Sequence, residues 1–310
     1  MPGKSLCVAL TGSTGFVGRH VLAELLRQGH TVRALARSRA KLNNTDGRVF
    51  TIEGDLFSES ATRELVSGAD AVIHLVGIIM ENRSEGQTFS RVHVEATRNL
   101  LAAAKATGHI RKWVQMSALG TRPIAVSMYH RTKWEAEELV RGSGLDFTIF
   151  RPSIIHGADG LFMRLVRDFW CKAFPPFVPY FGAGAMGTKG AGKLQPVFVE
   201  DVARLFVDAL TNEKARNETY PLGGPEAMTW PQLHETVGKY LPNARKKKIV
   251  AVPVWCAKLI AGLPLVPFNA DQVIMSQEES TCSTAKVVND FGITLKSFEE
   301  TVKEYAGTIE

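Results

Sequence analysis

The sequence predicts an α/β fold with a doubly wound parallel sheet and a smaller, irregular C-terminal region. In the first half of the chain, short apolar runs alternate with stretches of helical periodicity, and repeated strand–helix–strand units of this kind build parallel sheets. A glycine-rich turn joins the first apolar run to the first helical stretch. After Arg151 and Pro152, the alternation gives way to a segment rich in Phe and Pro.

The strands of the predicted sheet succeed one another with a helical stretch after each of them. They are expected at 5–11, 31–36, 48–52, 70–76, 112–117 and 146–151. A later strand-to-helix unit spans 194–210, followed by short helices around one strand at 247–252. The five glycines of 182–192 predict a mobile loop, because little in it can pack.

These elements predict a division into two parts. Residues 1–155 are expected to form a dinucleotide-binding domain, to which residues 194–225 return. Residues 156–193 and 226–310 are expected to form the substrate-side region. No internal repeat or coiled-coil heptad interrupts this organisation.

Composition and charge exclude several classes of protein. The 310 residues have a formal net charge of +6 from 37 basic and 31 acidic side chains, which indicates a solvated surface and no specific nucleic-acid partner. The four cysteines form no CxxC pair, so neither a metal site nor a disulfide framework is expected. Too few residues precede the first strand for a secretory signal, and a cytoplasmic protein is expected, as a monomer or a homodimer.

One long apolar run, residues 251–268, bears on membrane contact. It contains Lys258 and three prolines, which argue against a helix that spans a membrane. Two interpretations stay open. The run could rest on the inner face of a membrane, or it could pack against its own protein.

Residues 11–18, Thr-Gly-Ser-Thr-Gly-Phe-Val-Gly, form the glycine-rich turn. A phosphate can approach backbone amides at a helix N-terminus only where side chains are missing, and the helix dipole then favours its charge. We therefore expect a dinucleotide pyrophosphate here, although an ordinary glycine turn is the alternative. The cofactor-binding residues predicted in this turn are Gly12, Thr14, Gly15, Phe16, Val17 and Gly18.

The end of the second predicted strand indicates which dinucleotide binds. NAD-selective sites place an acidic residue there for the ribose hydroxyls, whereas this chain has Arg37, Ser38 and Arg39. Guanidinium groups suit a 2′-phosphate, so the sequence favours NADP(H) over NAD(H), with Arg19 adding to the same pocket. A solvated basic loop is the alternative. Asp55, which follows the third strand, is placed either to meet the adenine or to cap the next helix.

Tyr129 and Lys133 are four residues apart at the start of a helical stretch, so both side chains emerge on one face. A phenol is a useful acid or base when a neighbouring cation stabilises its anion, and a lysine ammonium provides that cation. Ser117, at the end of the fifth predicted strand, is placed to hydrogen-bond a substrate carbonyl or hydroxyl. These three residues are the predicted catalytic group.

With these motifs in this order, the chain resembles the short-chain dehydrogenase/reductase superfamily. It looks like the extended or atypical members, which include nucleotide-sugar epimerases and dehydratases, and most like bacterial relatives of the nucleotide-binding accessory subunit of mitochondrial complex I. The resemblance implies a Rossmann fold, bound NADP(H), Tyr129 as acid/base, and Lys133 orienting the ribose and lowering the phenol pKa. It also implies cofactor contacts from Asp55, Leu56, Val76, Gly77, Arg151 and Pro152.

Two departures from the family pattern bear on function. His93 stands where many members carry Asn, which puts the family's proton relay through the lysine in doubt, and a core histidine with satisfied hydrogen bonds is the alternative. His74 and His156, which follow apolar runs, are expected to be structural. Leu75, Val76 and Gly77 are apolar where sugar-modifying members often have small polar residues, which favours a less polar, quinone-like or isoprenoid ligand.

Two functions therefore remain open from the sequence. The first is an NADP(H)-dependent oxidoreductase or epimerase acting on a carbonyl or alcohol of a weakly polar small molecule. The second is a nucleotide-binding structural or assembly protein that does not turn over. Intact Ser117, Tyr129 and Lys133 favour the enzyme, whereas His93 and the apolar substrate side keep the alternative open.

Overall fold

A computed structural model of the chain describes residues 5–42, 46–182, 192–261 and 268–309. The predicted mobile loop 182–192 lies outside the described residues apart from its two ends, as does most of the second half of the apolar run 251–268. The chain separates into two compact units. Unit 1 comprises Met1–Pro152, Val199–Pro221 and Ala285–Ile293, and unit 2 comprises Ser153–Phe198, Leu222–Thr284 and Thr294–Glu310.

The elements follow the alternation expected from the sequence. The strands are β1 (Cys7–Thr11), β2 (Thr31–Ala36), β3 (Val49–Glu53), β4 (Ala71–His74), β5 (Lys112–Met116), β6 (Asp146–Pro152), β7 (Ile155–His156), β8 (Phe177–Gly182), β9 (Val197–Phe198), β10 (Glu218–Leu222) and β11 (Lys248–Pro253). The α-helices are α1 (Phe16–Arg27), α2 (Glu59–Val66), α3 (Ala96–Thr107), α4 (Met128–Arg141), α5 (Leu161–Cys171), α6 (Val199–Asp208), α7 (Trp230–Tyr240), α8 (Val254–Ile260), α9 (Ala270–Met275), α10 (Ala285–Phe291) and α11 (Phe298–Tyr305). A π-helical turn, Ser90–Glu95, leads directly into α3.

Seven strands form the main sheet in the order β10-β6-β5-β4-β1-β2-β3. The pairings of β1 with β2 and β4, of β2 with β3, and of β5 with β4 and β6 are all parallel. The chain winds outward from β1 to β3 and then crosses to β4, so the winding direction reverses between β1 and β4. The predicted Rossmann-type, doubly wound sheet is therefore confirmed, and its switch point is where such folds bind ligands.

The core of unit 1 is built from apolar side chains that the strand and helix periodicities bring together. Trp113 is fully buried, and its indole donates a 2.8 Å hydrogen bond to the buried Gln115 amide oxygen. Each fully buried large apolar side chain contributes about 1.5–3 kcal/mol. The cluster combines Ala9, Leu35, Ile52, Val72 and Ile149 of the strands with Leu65, Val66, Leu100 and Leu101 of α2 and α3. A separate contact joins α1 to α6, where Gln28 donates to Asp208 at 2.7 Å.

Unit 2 contains two short parallel strand pairs, β8 with β11 and β7 with β9, among helices. His156 at the end of β7 is buried, and its Nδ1 lies 3.0 Å from the Tyr305 hydroxyl. Burial lowers the pKa of His156 to about 3, so the ring is neutral. These contacts are those of the structural histidine expected from the sequence.

Candidate functional site

The glycine-rich turn lies at the switch point of the sheet. Gly12 has a left-handed backbone (φ +74°), and a Cβ atom there would lie 3.2 Å from the backbone of Leu75 after β4. The Gly15 amide donates to the Gly12 carbonyl at 3.0 Å, and α1 begins at the next residue with no acidic side chain in its first turn. A Cβ atom at Gly18 would overlap the Gly12 carbonyl oxygen. The glycines thus make the turn a cradle of backbone groups at the N-terminus of α1. No acidic side chain of the first turn offsets the positive end of the helix dipole there, which suits a pyrophosphate.

Side chains of the same turn line its edges. Phe16 and Val17 are half-buried, and the Phe16 ring meets that of His20 edge to face at 5.7 Å. Arg19 is exposed, and its guanidinium donates to the Thr14 carbonyl at 3.3 Å. The predicted residues of the turn therefore lie together around one helix start.

The two arginines after β2 differ in their contacts with other side chains. Arg37 is exposed, and Ser38 precedes a short 3₁₀ turn that begins at Arg39. Arg39 lies 3.7 Å from the Glu53 carboxylate, and both side chains are largely exposed. An exposed pair at this distance contributes little energy, so both guanidinium groups can turn toward an anion.

Asp55 and Leu56 follow β3. One carboxylate oxygen of Asp55 accepts hydrogen bonds from the amides of Phe57 and Ser58 at 2.9 and 3.1 Å. Leu56 is buried, and its carbonyl accepts from the Asn99 amide at 3.0 Å. Asp55 thus holds the turn that leads into α2, but it does not cap that helix, because the N-cap is Ser58, whose hydroxyl accepts from the Ala61 amide. The contact of Asp55 with adenine stays a prediction.

Two of the predicted catalytic residues, Ser117 and Lys133, meet at the end of β5. Lys133 is buried, and its Nζ donates to the Met116 carbonyl at 3.2 Å, next to Ser117. Ser117 is buried as well, and its hydroxyl donates to Thr121 at 3.3 Å. Tyr129 lies one helical turn before Lys133 on α4. The structure therefore brings Ser117 and Lys133 to one strand end, with Tyr129 on the adjoining helix.

Burial moves the pKa values of both titratable groups. It raises the pKa of Tyr129 to about 12, so the phenol holds its proton at neutral pH. It lowers the pKa of Lys133 to about 8, while the charge of Glu137 acts in the opposite direction. An ammonium with a pKa this close to neutrality still carries its charge at pH 7, and it provides the cation that a phenolate needs.

Gly77 gives Lys133 its space. A Cβ atom at residue 77 would lie 2.8 Å from the Lys133 Nζ and 3.5 Å from Nε2 of His93. Val76, just before it, is half-buried. The predicted residues after β4 therefore lie beside the lysine.

His93, in the π-helical turn, is buried and has partners for both ring nitrogens. Its Nδ1 lies 2.9 Å from the Thr132 hydroxyl, and its Nε2 lies 3.1–3.2 Å from the carbonyl and amide of Ile78. The expectation of a core histidine with satisfied hydrogen bonds is thus met. His93 also meets the Tyr129 ring edge to face at 5.4 Å, so it lies beside the predicted catalytic group.

His74 ends β4 inside a second buried polar chain. Its Nδ1 lies 2.7 Å from the Thr11 hydroxyl and its Nε2 lies 3.1 Å from the Thr97 hydroxyl. Burial and then the charge of Lys133 lower the pKa of His74 to about 3. His74 is neutral and structural, as the sequence predicts.

Arg151 and Pro152 end β6. The sequence predicted contacts of these residues with the cofactor, whereas the structure shows hydrogen bonds between them and other parts of the protein. The Arg151 guanidinium donates to both carboxylate oxygens of Glu137 at 2.8 and 2.6 Å, and Arg141 donates to the same carboxylate at 2.8 Å. Pro152 is buried, and its carbonyl accepts from the Leu119 amide at 2.8 Å. The predicted cofactor contact of these residues stays a prediction, and in this structure they tie α4 to the sheet.

Sequence reasoning missed Glu137 and Thr132. Glu137 has no exposed side-chain surface, and it lies one turn after Lys133 and one turn before Arg141. That i, i+4 spacing of opposite charges was the signal that could have identified it. Thr132 carried no such signal, because its contact with His93 depends on how α4 packs against the π-helical turn.

Several large apolar side chains that lie close in sequence to Gly77 or Tyr129 are exposed. They lie in the two segments that follow β4 and precede or begin α4, and we call them the apolar rim. Its members are Ile79, Met80, Ile124, Val126 and Met128, which are 48–86% exposed. Exposed apolar side chains in segments that adjoin site residues are a feature of sites for hydrophobic ligands.

No three His, Cys, Asp or Glu side chains in the described ranges lie close enough to hold a metal ion. None of the helices within them is both long and apolar enough to cross a membrane.

Comparisons with known proteins agree with this geometry. The model of the NAD(P)H-binding family matches residues 12–164. A mitochondrial NADH dehydrogenase [ubiquinone] 1 alpha subcomplex subunit 9 from Arabidopsis thaliana is 28% identical over 310 aligned residues, which cover 96% of this chain and 74% of the relative. A ceramide reductase from Caulobacter vibrioides is 35% identical over 168 residues, about half of each chain (52% and 51%).

A solved structure shows the same fold. The UDP-glucose 4-epimerase of Thermotoga maritima, solved with UDP-glucose, superposes with a TM-score of 0.73 over 97% of this chain and 98% of its own, at 19% identity. The Rossmann-type fold that the resemblance implies is confirmed by this likeness, and the match of residues 12–164 to the NAD(P)H-binding family agrees with the predicted dinucleotide-binding domain.

Proposed function

We propose that this protein is an NADP(H)-dependent oxidoreductase that acts on a carbonyl or alcohol of a weakly polar small molecule. The observation that carries the proposal is the convergence of Ser117 and the buried Lys133 ammonium at the end of β5, with Tyr129 on the same helix face as the lysine. Oxidoreduction is preferred to epimerisation because the apolar rim offers few polar partners for a sugar.

The residues present fit a dinucleotide. Gly12, Gly15 and Gly18 form a cradle so closely packed that added Cβ atoms would press on neighbouring backbone, and the first turn of α1 carries no opposing acid. These amides would hold the pyrophosphate, and Lys133 would hydrogen-bond the ribose beside the nicotinamide. When bound, the dinucleotide supplies or accepts hydride.

The protein's own residues would manage the proton. Tyr129 keeps its proton at neutral pH because burial raises the phenol pKa to about 12, so it is set to donate to a carbonyl oxygen that gains hydride. The Lys133 ammonium would stabilise the phenolate that remains. Ser117 would orient the substrate oxygen through its hydroxyl.

The preference for the phosphorylated dinucleotide rests on the residues after β2. Arg37 is exposed there, and Arg39 is only weakly paired. No acidic side chain stands at positions 37–39 to accept hydrogen bonds from the ribose hydroxyls of NAD(H). A guanidinium group can instead bind a 2′-phosphate through two hydrogen bonds.

The apolar rim supports a substrate with a hydrocarbon body, such as a quinone-like, isoprenoid or long-chain carbonyl compound. The likeness of about half the chain to a ceramide reductase agrees with such a substrate. Contact with a membrane surface, one of the two interpretations of residues 251–268, would bring the protein to such molecules. In the described part of that run, Trp255 and Leu259 of α8 are 56% and 74% exposed.

The enzyme proposal is tested with NADPH, the probe substrate 9,10-phenanthrenequinone and a series of methyl ketones of increasing chain length. We expect oxidation of NADPH and a Michaelis constant that falls as the chain lengthens. Tyr129→Phe should lower kcat about 10²–10⁴-fold and leave the dissociation constant of NADPH unchanged. Tyr240→Phe, which changes a half-buried tyrosine bound to Glu299, serves as the matched control. Equal rates for Tyr129→Phe and wild type would contradict the proposed role of the phenol.

One observation favours the alternative of a nucleotide-binding assembly protein, namely the match to the complex I subunit over 96% of this chain. In that case the dinucleotide would raise the melting temperature without being consumed. Absence of turnover with all the carbonyl probes, together with stabilisation by NADPH, would support this alternative.

A further inference from the structure

His93 is a buried side chain with several polar contacts to which the proposed reaction assigns no part. Its two ring nitrogens join the segment after β4 to helix α4, through Ile78 and Thr132. It lies in a π-helical turn, and such turns often occur at functional sites.

Both tautomers of the imidazole keep the same two partners. If Nδ1 carries the hydrogen, it donates to the Thr132 hydroxyl, whose own hydrogen goes to the Met128 or Tyr129 carbonyl at 2.9 and 3.1 Å, and Nε2 accepts the amide hydrogen of Ile78 at 3.2 Å. If Nε2 carries the hydrogen, it donates to the Ile78 carbonyl at 3.1 Å, and Nδ1 accepts from the Thr132 hydroxyl.

Both proposed catalytic groups adjoin this bridge. The imidazole meets the Tyr129 ring edge to face, with the planes 83° apart, and Thr132 directly precedes Lys133. Nε2 and the Lys133 Nζ both lie within 3.5 Å of the position that a Cβ atom of Gly77 would occupy. A movement of the imidazole would therefore displace the phenol, the ammonium or both.

The ring is held from its backbone side as well. The His93 carbonyl accepts a 2.6 Å hydrogen bond from Thr97, whose hydroxyl also contacts His74 at 3.1 Å. His74 in turn contacts Thr11, which ends β1 just before the glycine-rich turn. The π-helical turn is thus anchored to the strand that carries the cofactor cradle.

The imidazole is neutral at physiological pH. Burial and then the charge of Lys133 lower its pKa well below the ordinary value, His74 adds a smaller effect in the same direction, and the Ile78 backbone opposes them. A neutral ring in two fixed hydrogen bonds orients its neighbours and does not act as a base at pH 7.

We propose that His93 is a positioning residue that fixes the Tyr129 phenol and the Lys133 ammonium relative to each other by bridging Ile78 and Thr132. This proposal rests on the proposed function, since it assigns His93 a part in the same reaction. Asparagine at this position is too short to span both contacts, so the bridge requires histidine.

The kinetic test compares His93→Asn and Thr132→Val with His30→Asn. His30 is the matched control because it is equally buried in unit 1 and accepts a backbone amide hydrogen at 3.1 Å, from Leu6. With 9,10-phenanthrenequinone and NADPH, we expect kcat to fall about 10–100-fold in His93→Asn and Thr132→Val. The NADPH dissociation constant should change less than about twofold, because the cradle is untouched. The double variant should lose no more than either single variant, since both break one bridge.

A second readout needs no turnover. The chain has five tyrosines, so labelling with ¹³Cζ-tyrosine gives five NMR signals, of which Tyr129→Phe identifies one. We expect His93→Asn to shift the Tyr129 signal and His30→Asn to leave it in place. An unmoved Tyr129 signal, or a kcat in His93→Asn equal to that of His30→Asn, overturns the proposal. If wild type shows no turnover, the proposed function fails, and the NMR signal alone decides whether His93 positions Tyr129.

Discussion

At the scale of single residues, Lys133 shows that a buried charge in a site can lower the stability of the fold. The sequence predicted its place beside Tyr129 from the four-residue spacing, because a helix puts such residues on one face. Its burial, its bond to the Met116 carbonyl and the nearby Glu137 carboxylate arise from packing between elements that are distant in the chain. No local pattern in the sequence encodes those contacts.

This burial predicts the effect of Lys133→Met on stability. The folded-state pKa of about 8 lies below the ordinary value of 10.5, so holding the charge at pH 7 costs roughly 3 kcal/mol. The substitution also removes the hydrogen bond to Met116, so we expect a net rise of roughly 1–2 kcal/mol in the free energy of unfolding at pH 7. Urea denaturation measures this difference.

The pH dependence provides the control for Lys133→Met. Between the folded and ordinary pKa values, the unfolded wild type binds more protons than the folded one, so its stability rises with pH from about 8 to 10.5. The advantage of Lys133→Met should shrink over that window. An advantage that stays constant with pH would show that it does not arise from the ammonium.

At the scale of elements, the predicted strands and the glycine-rich turn were confirmed because their signals are local. The strand expected at 31–36 is β2, and the one expected at 112–117 is β5 to within one residue. The π-helical turn of Ser90–Glu95 was not predicted. Its single extra residue per turn leaves no distinct periodicity, and it places His93 through contacts with β4 and α4.

The close packing of Gly18 in the cradle predicts that Gly18→Ala weakens dinucleotide binding. The added methyl would overlap the Gly12 carbonyl and crowd the Ser13 Cα, both of which are backbone atoms that cannot rotate away. We expect at least about a tenfold loss of dinucleotide affinity, because a distorted turn withdraws its amides from the pyrophosphate. Gly47→Ala, where a Cβ atom meets nothing within 4 Å, is the control. Equal affinities of the two variants would show that the dinucleotide does not use this turn.

At the scale of the whole molecule, the alternation of strands and helices sufficed to predict the sheet, since each βαβ unit determines its own handedness and pairing. The site was predicted in part. Ser117 and Lys133 meet at the end of β5, with Tyr129 one helical turn before the lysine, whereas Arg151 is held by Glu137, and Asp55 holds a turn. The apolar rim could not be predicted from the sequence, because the exposure of residues such as Ile124 depends on the complete fold.

The measurement that tests the central claim most directly is calorimetric titration of the cofactor-free protein with NADPH, NADP⁺, NADH and NAD⁺. We predict tighter binding of the two phosphorylated forms and loss of that preference in Arg37→Ala, because its guanidinium meets the 2′-phosphate. Arg63→Ala, which removes an exposed arginine paired with Glu59 on α2, should behave as wild type. No binding of any of the four dinucleotides would contradict the proposed oxidoreductase.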